Sequence, residues 1–212
     1  MRGLYAIVDT DRLASLRLDP LAFALEILRA RPAALQLRAK HLGARATLQL
    51  LGALQGPCRA AGVPFFCNDR IDLALIAGVG GVHVGQHDPN AREVRRISSE
   101  LLIGISTHDF SQLEAALAER PAYVAFGPVF STTSKAQPDP VVGLEGLREA
   151  GARCRRAGVP LVAIGGLTLS RAKQVAEHAD AGAVISALDA DATAITDTAR
   201  ALHAALGGES AP

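Results

Sequence analysis

Short apolar runs rich in Val, Ile, Leu and Phe recur along the whole chain, at 4–8, 34–38, 64–67, 81–84, 102–106, 123–127, 161–165 and 182–187. They are continuously apolar rather than alternating, as strands buried on both faces are. Between them lie stretches with helical spacing, such as Leu21, Leu25 and Leu28, or Leu113, Ala116 and Leu117. This alternation predicts parallel strands joined by crossover helices. Eight units leave roughly 26 residues each, near the lower size limit of a (β/α)8 TIM barrel. The expected fold class is therefore α/β, a single TIM-barrel domain over 1–212, with 207–212 expected to fray. An open doubly wound sheet usually has fewer strands and a Gly-rich turn after the first one. Here the first run ends Val8-Asp9-Thr10-Asp11, without glycine. The one long loop, 128–143, has the length of a functional segment and is the candidate lid.

Composition narrows the function. The 22 Lys+Arg nearly balance 21 Asp+Glu, giving a net charge of +1. That leaves no broad basic field for nucleic acid or an anionic membrane, and 4% aromatic residues supply few stacking platforms. No apolar stretch approaches a membrane span, and Met1-Arg2-Gly3 runs into Leu4-Tyr5-Ala6-Ile7-Val8 without a signal-peptide cleavage end. A cytoplasmic location is expected. Cys58, Cys67 and Cys154 lack C-x-x-C spacing, so they read as small core residues.

In such a barrel the active site lies at the C-terminal strand ends. Gln36, Arg38 and Lys40 alternate there, which places two cations and an amide on one side of an extended segment, suited to phosphate or diphosphate. Asn68 and Asp69 follow the third run and Asp88 the fourth, so two carboxylates can share a hard cation such as Mg2+. Asp69 is equally readable as the N-cap of a helix starting at Ile71. Ser106, Thr107 and His108 close the fifth run; His108 suits a hydrogen-bonded structural role better than that of a base. Ser131 to Lys135 offer hydroxyls and a cation for wrapping phosphate oxygens. Gly165-Gly166 after the seventh run, and Ile185-Ser186 in the eighth, allow close backbone approach to an anion, although the glycines also suit a plain tight turn.

Taken in order, Gln-Leu-Arg-Ala-Lys (36–40), Asn-Asp-Arg (68–70), Gly-Val-His-Val-Gly-Gln-His-Asp (81–88), Gly-Ile-Ser-Thr-His (104–108), Gly-Pro-Val-Phe-Ser-Thr-Thr-Ser-Lys (127–135), Ala-Ile-Gly-Gly (163–166) and Val-Ile-Ser-Ala (184–187) closely resemble the thiamine phosphate synthase family. The resemblance implies an enzyme of thiamine biosynthesis that joins an aminopyrimidine methyl diphosphate to a thiazole phosphate and releases diphosphate. It implies that Gln36, Arg38, Lys40, Asn68, Ser106 and Lys135 contact the pyrimidine diphosphate, with Arg38, Lys40, Ser106 and Lys135 catalytic. Asp69 and Asp88 would hold Mg2+, and Thr132, Thr133, Ser134, Gly166, Ile185 and Ser186 would surround the thiazole phosphate. The partners implied are these two small heterocycles, without nucleic acid or membrane, and a homo-oligomer is compatible with the sequence. Ala39, Ser134 and Cys67 stand where the family usually has Glu, Thr and an aliphatic residue; Ala39 alternates with Arg38 and Lys40 and should point away from the mouth.

The thiazole nitrogen is already a nucleophile, so the coupling needs leaving-group stabilisation rather than a base. A thiazole tautomerase would instead need an acid/base such as His108 and would have little use for Asp69 and Asp88. A non-catalytic phosphate-binding barrel is the third reading.

Overall fold

The computed structural model describes residues 1–132, 139–189 and 193–209. Eight strands, β1 (Gly3–Asp9), β2 (Ala34–Arg38), β3 (Phe65–Asn68), β4 (Gly81–Val84), β5 (Leu102–Thr107), β6 (Tyr123–Phe126), β7 (Leu161–Ile164) and β8 (Ala181–Val184), pair in parallel and in chain order. β1 also pairs with β8, from Gly3 with Ala181 to Ala6 with Val184, which closes the barrel. The expected TIM barrel is thus the observed one. Every apolar run became a strand. The eighth overran: the chain leaves β8 at Val184 and turns into a short 3-10 helix, Ser186–Leu188.

Period-two alternation divides the strand residues between two cores. Tyr5, Ile7, Phe66, Tyr123, Ala125 and Val162 point into the barrel and pack together. Their neighbours Leu4, Ala6, Val8, Leu35, Leu37 and Val124 point outward into a larger cluster with the helices. Both faces are therefore dry, which is why the runs carry no polar alternation. Ala39 also packs against that outer cluster, away from the mouth as expected.

Helices fill the crossovers: α1 (Thr10–Ser15) and α2 (Pro20–Leu28) precede β2, then come α3 (Ala44–Ala61), α4 (Ile71–Ala77), α5 (Ala91–Ile97), α6 (Phe110–Ala118), α7 (Gly143–Ala157), α8 (Leu169–Ala176) and α9 (Ile195–Ala205). On α6, Leu113, Ala116 and Leu117 are buried as their spacing predicts. On α2 the inward face is Phe23, Ala24, Ile27 and Leu28, whereas Leu25 is exposed. Leu28 is buried and Leu21 packs against the same core as the spacing predicts; only Leu25 is misplaced, Phe23, Ala24 and Ile27 filling the rest of that face. α1 is short and starts on a built cap: Asp9 Oδ1 accepts from the backbone N–H of Asp11 at 3.1 Å and of Arg12 at 3.0 Å.

Below the barrel, the Leu4 N–H donates to His203 Nδ1 at 3.2 Å, and the Gly208 N–H donates to the His203 carbonyl at 2.9 Å. Gly207 and Gly208, in the segment expected to fray, are thus bonded to α9. The three cysteines are free and buried. Burial pushes the Cys58 and Cys154 thiols up to about 12 and Cys67 up to about 11. No helix among the described residues is long and apolar enough to cross a membrane.

Candidate active site

At the C-terminal strand ends a cavity of about 580 Å³ opens, a volume typical of small-molecule sites. Gln36, Arg38, Lys40, Asn68, Asp69 and Asp88 line one side. Ser106, Thr132, Gly166, Ile185 and Ser186 line the rest. Thr133, Ser134 and Lys135, also expected here, lie outside the described residues, as does most of the middle of the loop 128–143.

Asp69 is shaped by its backbone. It follows β3 with φ +60°, a left-handed conformation that aspartate tolerates better than most residues, and its N–H donates to the His83 carbonyl at 2.8 Å. The N-cap reading of Asp69 is corrected: α4 begins after Arg70 with no side-chain cap bond. The carboxylate instead turns to the cavity, where Lys40 Nζ lies 3.2 Å from its Oδ2. Asp88 Oδ2 accepts from the Gly85 N–H at 2.8 Å. Partial burial, and Asp69 facing it, push the Asp88 carboxyl above its usual value. Two acids crowded at a cationic mouth suit a divalent cation chemically. Among the described residues no group of three or more His, Cys, Asp or Glu could hold a metal alone. A cation here would draw further oxygens from substrate or water, the habit of Mg2+.

Beneath these charges lies a buried polar network that sequence reasoning missed. Gln36 Nε2 donates to the Tyr5 hydroxyl at 2.9 Å, and Tyr5 and Tyr123 share a 2.6 Å bond. The Tyr123 hydroxyl is 2.7 Å from His83 Nδ1, and His83 Nε2 is 2.7 Å from Ser106 Oγ. One arrangement places every proton: Tyr5 donates to Tyr123, Tyr123 to His83 Nδ1, and His83 Nε2–H to Ser106. The Ser106 hydroxyl is then left to donate into the cavity. Burial pushes both phenols well above their usual range, so they stay protonated. His83 stacks on Tyr123 with ring centroids 5.7 Å apart, and Phe66 meets Tyr123 edge-on at 5.3 Å. The available signal was a histidine inside an otherwise apolar run, together with the chain's only two tyrosines at inward positions.

The opposite side is built from close backbone approach. Gly166 has φ +63°, and a Cβ there would lie 2.4 Å from the Ser131 carbonyl oxygen. A Cβ on Gly127 would lie 2.1 Å from the Ile164 carbonyl oxygen. These glycines let the start of the long loop fold against the end of β7, where the Phe130 N–H donates to the Gly165 carbonyl at 3.1 Å. His108 lines the cavity, but its Nδ1 is 2.7 Å from the Gly127 carbonyl and so donates to it, in keeping with a hydrogen-bonded structural residue. The helix that follows is capped by Asp109, whose Oδ1 accepts from the Gln112 N–H at 2.8 Å.

Known proteins resemble this chain in sequence and in fold. The family model for thiamine monophosphate synthase matches residues 4–188. The thiamine-phosphate synthase of Koribacter versatilis is 41% identical over 196 residues, 89% of each chain. That of Chloroflexus aurantiacus is 39% identical over 170 residues, 80% of this chain and 77% of that protein. Among solved structures, a thiamine phosphate pyrophosphorylase from Pyrococcus furiosus has a TM-score of 0.85 at 29% identity, covering 97% of this chain and 95% of that one. With a match over most of its length, on a barrel whose mouth gathers Arg38, Lys40, Asp69 and Asp88, the chain belongs to the thiamine monophosphate synthase family.

Proposed function

We propose that the chain joins 4-amino-2-methyl-5-(diphosphooxymethyl)pyrimidine to thiazole phosphate, giving thiamine phosphate and diphosphate. The observation that carries this reading is the convergence of Arg38, Lys40, Asp69 and Asp88 on one side of a single cavity whose other side is formed by Gly166, Ile185 and Ser186. One cavity with a charged half and a backbone-rich half accommodates two anions at once.

The pyrimidine diphosphate would sit over the aromatic floor of Tyr5 and Tyr123, with its anion against Arg38 and Lys40. Asp69 and Asp88 would hold Mg2+, which when bound supplies Lewis-acid neutralisation of the leaving diphosphate. Departure of diphosphate leaves a resonance-stabilised carbocation on the pyrimidine methylene. The thiazole nitrogen then attacks that carbon, so no residue has to remove a proton. Arg38, Lys40 and the Ser106 hydroxyl would stabilise charge that builds on the leaving oxygens. Thr132, Gly166, Ile185 and Ser186 would orient the second substrate by its phosphate. Lys135, Thr133 and Ser134 belong to this proposal through the sequence pattern. A single domain working in the cytoplasm is part of the same reading.

The test is to incubate purified protein with both phosphorylated heterocycles, with and without Mg2+, and to follow diphosphate release. Metal-dependent release that requires the thiazole for product formation is expected. No release at saturating substrates and metal refutes the proposal.

A further inference from the structure

Arg38 does not stand alone at the mouth: one of its terminal nitrogens donates to Asp9 Oδ2. Asp9 is buried, 6% exposed, and does not line the cavity, so it touches Arg38 from behind. Its other oxygen is the cap of α1. Two groups thus meet on one carboxylate, a helix start and a cation that faces the anion site.

The same turn reaches the opposite half of the cavity. Arg12, the third residue of α1, donates from Nε and Nη2 to the carboxylate of Asp189, the Nη2 to Oδ1 bond being 2.6 Å. The Asp189 side chain is 3% exposed. Asp189 follows directly on the 3-10 helix Ser186–Leu188, whose first residue lines the cavity next to Ile185. A planar fork on a carboxylate fixes orientation as well as distance.

We propose that the first turn of α1 is a positioning device with two arms: Asp9 holds the Arg38 guanidinium for the diphosphate, and Arg12 holds Asp189, and with it Ser186, for the second phosphate. The substrate assignments rest on the function proposed above. Neither Asp9 nor Arg12 touches the cavity, so neither is catalytic. With one terminal nitrogen on Asp9, Arg38 keeps its remaining N–H groups for an anion, in a plane set before the substrate arrives.

A purely electrostatic role for Asp9 predicts the opposite sign. If the carboxylate did no more than neutralise Arg38, removing it would make the mouth more positive and tighten anion binding. If it positions Arg38, removing it weakens binding. Asp9→Asn is the discriminating change, because asparagine caps helices as well as aspartate does yet offers Arg38 no charge.

The experiment uses the full chain. Inorganic diphosphate with Mg2+ is titrated calorimetrically, and diphosphate release is measured while each substrate is varied. Asp9→Asn should weaken diphosphate on the order of tenfold and raise KM for the pyrimidine substrate, with KM for thiazole phosphate unchanged. Arg12→Gln should raise KM for thiazole phosphate and leave diphosphate affinity alone. In an Arg38→Gln background, Asp9→Asn should have no further effect. Asp9→Ser, another capping residue, keeps the comparison decisive if the asparagine variant is poorly folded, and Asp9→Glu should recover part of the loss. Unchanged or tighter diphosphate binding in Asp9→Asn, equal loss toward both substrates, or an additive loss in the Arg38→Gln background overturns the proposal. Wild-type protein that binds diphosphate but couples nothing refutes the assigned reaction, while the calorimetric comparison still decides the role of Asp9.

Discussion

Replacing Tyr123 with phenylalanine removes one oxygen from the middle of the buried chain that runs from Gln36 to Ser106. The ring stays, and with it the packing against Tyr5, Phe66 and His83, so little apolar stabilisation is lost. What is lost is two hydrogen bonds of 2.6 and 2.7 Å. Tyr5 and Tyr123 are 1% and 0% exposed, so the groups left behind are buried. The Tyr5 hydroxyl keeps its bond from Gln36 but loses its bond to Tyr123, and His83 Nδ1 loses the Tyr123 hydroxyl. Leaving buried polar groups unpaired costs about 1–3 kcal/mol, more than the small gain from no longer desolvating a phenol. For a chain of this size that is a fall of roughly 2–12 °C in Tm. Urea unfolding should show a lower midpoint with an unchanged slope, since no surface is newly exposed. Tyr5→Phe should cost a similar amount, and the double variant should differ from the sum by about 0.5 kcal/mol or more because the pair shares one bond. A Tyr123→Phe protein as stable as wild type, or costs that simply add, would show that the five-residue chain is not a connected unit.

Other expectations follow from single contacts. Asp69→Asn, with its backbone conformation retained, should lower diphosphate release on the order of a hundredfold or more, read as initial rates at saturating Mg2+. Gly166→Ala drives a Cβ toward the Ser131 carbonyl at a left-handed backbone position, so it should lower Tm and raise KM for the second substrate; wild-type values in both would show that the approach is not needed. His203 is buried with its pKa held below the usual histidine value by desolvation, and its Nδ1 must stay unprotonated to accept from Leu4. The unfolded chain therefore takes up that proton first, so stability is full above about pH 6.5 and falls as pH drops below it. His203→Gln should flatten that slope in urea titrations. The three thiols should resist an aromatic disulfide reagent in the native state and react once urea unfolds the chain.

The barrel was legible because each strand is dry on both faces: Leu35 and Leu37 outward and Gln36 inward leave a run that hydropathy detects at once. Spacing of two also placed Gln36 and Arg38 correctly, since β2 is extended through Arg38. Reach across the barrel was not legible. Tyr5 and Tyr123 are 118 positions apart and meet only when the sheet closes, and Asp9 finds Arg38 only through the β1–β2 register that pairs them. Asp69 was ambiguous for a local reason: an aspartate just before a helix is a good cap, and only its left-handed backbone turns the carboxylate to Lys40 instead.

The tyrosine pair also bears on how the floor of this cavity can change over generations. Each phenol shares its bonding with the other, so a lone replacement leaves an unmet partner, while a compensated change needs two substitutions in codons far apart. Drift toward a larger or smaller ring would therefore have to cross a less stable intermediate.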